Sequence, residues 1–540
     1  MAGVSRTRVV FIAFFVLATI ASLRPLRDYD YGWQLAAGRW IHEHGALPST
    51  DPFGVASDRI PWINGEWLFE YLLYPLHAAF GVNAIVFARA LFIGALFTLL
   101  LAYVHRETKS LGMSLTLCAI AWTCATLVFS ERPATFATGF AALAVFLALR
   151  EPGWKSIAIY VALTILWINF HPSALLAPVI FVIPSVSRGI WRRGLSGAAL
   201  SALALFANPY GLEGILAPQR LVRWVAIGPF TNREWQPSWP SLYPYLYVLI
   251  AIPLVAFAFD RERRKHLPHL LLAVFFAILA IRFRRNQVVF YAVWPLFVAP
   301  MIPPIASEKL RRVAAIGAFA LMSLMLAVRP IGSGIDEHVL PVRATQQLVS
   351  LHPRGNIFAA GHFGGHLIWT FYPERRVVND GRNELHHTFL AEYGAARRDT
   401  RAWRRLVDKY AITTAVADYE PTIPVTDPRT HKTLAVPASL AFYPRSRWAL
   451  IAFDDAAMVF ARRDAWRDRD LRAIEYEVLI PDDPSPRFAP AQRAKALHEL
   501  ARAHAILGDD SFVLARLGSA VAEPPLSDPD KKAVAPPPHS

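Results

Sequence analysis

Apolar runs of membrane-spanning size recur from residue 9 to residue 328 and then stop, and this constrains the chain more than any other feature. They fall at 9–23, 84–104, 113–130, 134–149, 156–171, 173–187, 195–208, 242–259, 267–281, 287–302 and 313–328. A bilayer core asks for about 20 helical residues, so the shorter runs must extend into flanking polar residues. Prolines 178, 184, 253 and 295 fit such helices only where neighbours satisfy the carbonyls they release. Of the 540 residues 54% are apolar and 18% charged, against about 25% charged in an ordinary soluble domain. That balance excludes disorder and collagen. The net charge of +15 belongs to cytoplasmic loops and anionic lipid, so no nucleic-acid partner is expected. Cys118 and Cys124 lie in one apolar run and read as buried hydrophobes, which excludes a disulfide scaffold or a cysteine zinc site.

Charge sets the expected orientation. The first run, preceded by Arg6 and Arg8, reads as an uncleaved signal-anchor that starts inside and emerges outside at residue 24. Segment 66–82 carries Glu66, Glu70, Pro75 and His77, costly facing lipid, and is read as a juxtamembrane helix on the outer surface. The inside loops are then 105–112, 150–155, 188–194, 260–266 and 307–312, mostly rich in Lys and Arg as the positive-inside rule requires. The outer side receives the loops 24–65 and 212–241 and the turns at Glu131-Arg132-Pro133, Asn169 to Pro172, Asn208 to Gly211 and Arg282 to Asn286. Three arginines in that last turn break the rule and mark a candidate site.

The expected architecture is a polytopic α-helical membrane protein of about 11 transmembrane helices. Residues 1–328 form the membrane domain, with 24–83 its first extracytoplasmic loop and juxtamembrane helices. A C-terminal extracytoplasmic α/β domain follows at 329–470, where short β runs (356–360, 376–379, 413–417, 449–453, 457–461) alternate early on with helical stretches. Residues 471–522 include two helices joined at Gly508-Asp509-Asp510, like one tetratricopeptide hairpin, and 523–540 reads as a disordered tail.

Chemistry is expected first at Asp28-Tyr29-Asp30. Two carboxylates at this spacing can share a divalent ion, or one can serve as a base while hydrogen bonds hold the other. Trp33, Trp40, Trp62 and Trp67 follow and suit a lipid interface or a sugar-stacking surface equally. Glu66 and Glu234 are acidic residues on the same side that could bind acceptor or metal; a salt bridge to a basic helix end is expected for Glu70. Trp235 lies in a Trp-rich loop suited to an acceptor platform or to interfacial anchoring. Asn169 and Asn208 read as helix-end pins, and Asp51-Pro52-Phe53 as a turn. His362 and His366, with Asp380, His386 and His387 downstream, have zinc-like spacing, but Gly361, Gly364 and Gly365 make the segment a strand-to-helix turn, which argues against a metal.

The strings DYDYGWQLAAGRWIHEHGALPSTDPF (28–53), PWINGEWLFE (61–70), ERP (131–133), WINFHP (167–172), NPYG (208–211), NREWQPS (232–238), RFRRN (282–286), GGHLIW (364–369) and NDGR (379–382) occur in this order. With an acidic pair in the first outer loop, many spans and an outer α/β domain, they resemble the GT-C superfamily of integral-membrane glycosyltransferases, and most closely a bacterial branch of it. Gln34 departs from that branch, which often has histidine there. The resemblance implies a polyprenyl-phosphate-linked sugar donor, inverting transfer on the outer face of a bacterial inner membrane, and an envelope glycan, lipid or protein acceptor. It implies Asp28 or Asp30 as the catalytic carboxylate, with Mg2+ or Mn2+ on the pair only if the reaction is metal-dependent. The donor phosphate falls to Arg282, Arg284 and Arg285, seconded by Arg132 and His171. Helical geometry would turn Arg282 and Arg285 to one face and Arg284 away. The alternatives are a lipid-linked glycan polymerase or ligase, and a non-catalytic relative acting as scaffold or transporter.

Overall fold

The computed structural model describes residues 2–227, 233–303, 307–329, 331–426, 431, 433–467 and 470–522; the tail expected at 523–540 lies outside them. Each of the eleven apolar runs folds as helix. Three helices are long and apolar enough to cross a membrane by length and composition, Trp67–Thr108, Arg263–Arg282 and Glu308–Ala327; seven further apolar helices are shorter. Large apolar side chains lie open on these helices, among them Phe80, Leu99, Phe259 and Ile316. Water would not tolerate such a surface, whereas lipid would.

Local chemistry sets many of the helix ends. Ser110 and Ser307 cap the helices Leu111–Thr126 and Glu308–Val328 with their hydroxyls. Pro133 at the first position of Pro133–Ala148 places Arg132 at its N-cap. Segment 66–82 is helical and runs on into the following span as Trp67–Thr108, broken at Gly81, where φ is +72°. The break divides a helix that would otherwise be about twice as long as a bilayer core needs. Two loops hold more structure than expected: Tyr31–His44 and Leu212–Ile227 are helices.

The chain divides into two compact units. Among the described residues, the helical unit comprises those within 2–28, 37–47 and 63–334, and the sheet unit those within 29–36, 48–62 and 335–522. This corrects the linear division, because two pieces of the first loop belong to the C-terminal unit and 329–334 to the helical one. The sheet unit holds strands β1 (Asn356–Ala359), β2 (Ile412–Asp418), β3 (Ile423–Thr426), β4 (Thr433–Val436), β5 (Trp448–Phe453) and β6 (Ala457–Arg462). The main sheet runs β1-β2-β6-β5, with β1 and β2 parallel and the other pairs antiparallel; β3 and β4 form a separate hairpin.

The strand expected at 376–379 is reduced to bridges from Val377 to Ile357 and Gly54. It still carries the sheet outward: Val378 N–H donates to Ile357 O at 2.8 Å, and Val55 and Ala56 N–H donate to Val377 and Val378 O at 2.8 and 3.0 Å. The first loop is thereby stitched to the sheet edge. Beyond it, Pro490–Leu507 and Phe512–Ala522 form the expected helical pair.

Candidate functional site

In the helical unit, the polar strings at the helix ends converge. Arg132 holds two carboxylates at once. Its Nε lies 2.9 and 2.8 Å from the two oxygens of Asp28, and its Nη1 lies 2.7 Å from Glu234 Oε1. The Asp28 side chain is buried, whereas that of Glu234 is 40% exposed. A fixed guanidinium therefore joins an enclosed carboxylate to one that faces the surroundings.

Glu234 and Trp235 lie on a short turn tied to the arginine string. Arg284 N–H donates to Gln236 O at 2.9 Å, Ser238 N–H to Ile281 O at 2.8 Å, and Gln287 Nε2 to Ser238 Oγ at 2.7 Å. The EWQPS part of the first string and RFRRN thus form one structural piece. The Arg285 guanidinium lies 4.5 Å from the centre of the Trp235 ring, Arg284 lies over Tyr243, and Arg282 over Phe283. The expected pairing of Arg282 with Arg285 on one helical face does not apply, because the helix ends at Arg282, Phe283 is extended and Arg284 opens a 3-10 turn. Among the described residues none of the three arginines pairs with a carboxylate, so their positive charge remains available to an anion.

His171 sits at the turn after helix Trp154–Phe170. Its Nδ1 serves as a hydrogen-bond acceptor, so the ring is neutral. Nδ1 accepts from Ser173 N–H at 3.0 Å, which leaves the proton on Nε2, 3.5 Å from Glu66 Oε1. Trp67 Nε1 donates to Asn169 Oδ1 at 3.0 Å, and Asn169 Nδ2 donates to Ala207 O at 2.7 Å. Asn208 ties Leu205 and Gly211 together, so both asparagines pin helix ends. Glu70 accepts from Asn64 Nδ2 at 2.5 Å.

Asp28 and Asp30 take separate partners. Asp30 belongs to the sheet unit, where its carboxylate accepts from Trp33 Nε1 at 3.0 Å and crowds Gly381. A divalent ion on Asp28 would face the Arg132 charge that both carboxylate oxygens already engage. The Asp28 carboxylate is therefore held by the Arg132 charge.

Sequence reading misses a second, fully buried cluster in the sheet unit. Asp51 does make its own turn, accepting from Phe53 and Gly54 N–H at 3.1 Å each and from Ser57 Oγ. It also receives Arg382 through two bonds, at 2.9 and 3.2 Å. Arg382 donates in turn to Asp380 at 2.9 and 2.6 Å, and His386 Nε2 lies 3.0 Å from Asp380. The guanidinium is stacked among Trp62, Phe53 and Trp33. Burial alone would raise Asp380, but Arg382 and His386 outweigh it and hold the carboxyl well below its ordinary range. Ligand atoms of Asp51, Asp380 and His386 lie within 4.8 Å of one another, yet Arg382 already balances both carboxylates, so the cluster reads as an internal clamp. The strings that end in DPF and begin at NDGR were the signal for it, hidden by a separation of 331 residues. His362 and His366 diverge, His362 toward Asp418 at 3.5 Å and His366 to the Tyr31 hydroxyl at 2.7 Å, which leaves no zinc pair.

No family model and no curated protein matches this sequence. Among solved structures, the apo crystal structure of the Archaeoglobus fulgidus oligosaccharyltransferase is similar to it with a TM-score of 0.51 at 13% identity, over 76% of this chain and 70% of that one. Over that length the chain therefore shares its fold with this oligosaccharyltransferase.

Proposed function

We propose that this chain is an inverting membrane glycosyltransferase that moves a sugar from a polyprenyl-phosphate-linked donor to an envelope glycan, lipid or protein acceptor. Its site faces the outside of a bacterial inner membrane, with the N-terminus cytoplasmic and the sheet unit extracytoplasmic. The carrying observation is the Asp28–Arg132–Glu234 bridge beside a turn whose arginines lack carboxylate partners. Asp28 removes the acceptor hydroxyl proton as that oxygen bonds to the anomeric carbon. The bond from that carbon to the phosphate oxygen breaks, and the lipid phosphate departs with its electron pair. Arg285, with Arg282 and Arg284, receives the phosphate charge, and neutral His171 donates through Nε2. Trp235 offers the acceptor sugar an aromatic face, and Glu66 and Glu234 accept from its hydroxyls.

The likeness to an oligosaccharyltransferase favours a second reading, in which a whole lipid-linked glycan is transferred or polymerised. Transfer assays in membranes, with mono- and oligosaccharide donors offered separately, decide between the two. On either donor, Asp28→Asn is expected to lower the rate by about two to four orders of magnitude with membrane insertion unchanged. Full activity in Asp28→Asn would overturn the assignment of the base. No transfer by the wild type from any lipid-linked donor would favour a scaffold or transporter.

A further inference from the structure

A second group of arginines gathers at the helix ends opposite the basic loops 105–112 and 307–312. Arg24 follows the first helix, Arg329 caps helix Glu308–Val328, and Thr126 ends helix Leu111–Thr126. Both arginines donate to the one carbonyl of Thr126, Arg24 at 3.3 Å and Arg329 at 3.1 Å. Two cations brought to a single neutral oxygen repel each other unless an anion joins them. Arg24 also has Nε and Nη2 buried with no hydrogen-bond partner among the described residues.

Glu131 is already committed: it pairs with Arg89, whose Nη2 is occupied by Ser22 and Arg24 carbonyls at 3.0 and 2.9 Å. Burial first, then the charges of Arg329, Arg89 and Arg27, lower the Arg24 pKa to about 10; every charge acting on it is positive. Helix Glu308–Val328, which delivers Arg329, buries only Ala318 and Met322 among its described residues, so this corner is open to lipid.

We propose that Arg24 and Arg329 bind the phosphate of an anionic membrane lipid where their guanidinium groups converge on the Thr126 carbonyl. A phosphodiester there supplies the negative charge that the two cations lack, and its acyl chains lie along the exposed last helix. The site is independent of the glycosyltransferase reading and uses none of its residues.

The test uses the full chain in lipid-free detergent micelles. Thermal unfolding is followed while phosphatidylglycerol, phosphatidylcholine or inorganic phosphate is titrated in, and native mass spectrometry counts retained lipid. Phosphatidylglycerol is expected to raise the Tm of the wild type. Arg24→Gln and Arg329→Gln are each expected to weaken that response about tenfold, and Arg261→Gln, in a cytoplasmic loop, to leave it unchanged. If inorganic phosphate stabilises the wild type equally and fails with both variants, the phosphate site stands and its source is a free anion. Equal responses to phosphatidylglycerol and phosphatidylcholine, or an unchanged response in Arg329→Gln, would overturn the proposal. Arg329→Gln keeps the test decisive if Arg24→Gln does not fold.

Discussion

Removing the guanidinium of Arg382 would leave Asp51 and Asp380 as buried carboxylates without their counter-charge. Arg382→Met is therefore expected to destabilise the sheet unit by about 3–5 kcal/mol, measured by denaturant or thermal unfolding in detergent. Destabilisation below about 1 kcal/mol would mean that the clamp carries little of the fold. His366 supplies a pH-dependent counterpart. Burial lowers its pKa from 6.5 to about 4, so the folded ring stays neutral where the unfolded ring takes up a proton. Its contribution is complete above pH 6.5 and is lost as the pH falls from 6.5 toward 4, by up to about 3 kcal/mol. Asp454 opposes it: burial raises that carboxyl to about 6, so its folded form is the better proton binder and it costs stability as the pH rises from about 4 to 6. The difference between wild type and His366→Gln isolates the histidine, and the variant should lose less stability between pH 6.5 and 4. Parallel curves would reject the assignment.

Between elements, contact is closest where glycines let backbones touch. A Cβ on Gly32 would sit 2.2 Å from Gly365 O, and one on Gly365 would sit 2.4 Å from Tyr29 O. Helices Tyr31–His44 and Gly364–Phe371 begin against each other there, so Gly365→Ala should cost about 1–3 kcal/mol or more, seen as a lower Tm or loss of folded protein. A wild-type Tm would show that the crossing can relax. This packing explains much of the ordered set of strings. YDYGW, DPF, GGHLIW and NDGR meet in the sheet unit, while ERP, WINFHP, EWQPS and RFRRN meet in the helical unit. The helices were legible from apolar runs, and the helix-end turns from prolines and asparagines, because both signals are local. Their pairings were not legible, since a hydrogen bond from Arg132 to Asp28 or from Arg382 to Asp51 leaves no mark on sequence spacing. Arg282 and Arg285 do not share a helical face for a local reason, the extended Phe283 between them.

Across the whole molecule, the chain passes from the helical unit to the sheet unit and back twice before residue 63, then returns for good after residue 334. Residues 335–522 expressed alone would lack Phe53 and Trp62, both buried, together with the Asp51 partner of Arg382. That fragment is expected to be insoluble or molten, and co-expression with residues 29–62 to restore a cooperative transition by calorimetry. A cooperative transition in the fragment alone would show that the loop is dispensable to its core. The same threading sets a timetable for synthesis. Asp51 and Arg382 are 331 residues apart, and at about 5–20 residues per second the first waits on the order of tens of seconds for the second to leave the ribosome. Through that interval the segment 48–62 is a half-made domain that must be kept from proteases. A chain arrested before residue 382 never hides Asp51 beneath its arginine, so an early stop leaves an exposed loop for proteolytic surveillance to read.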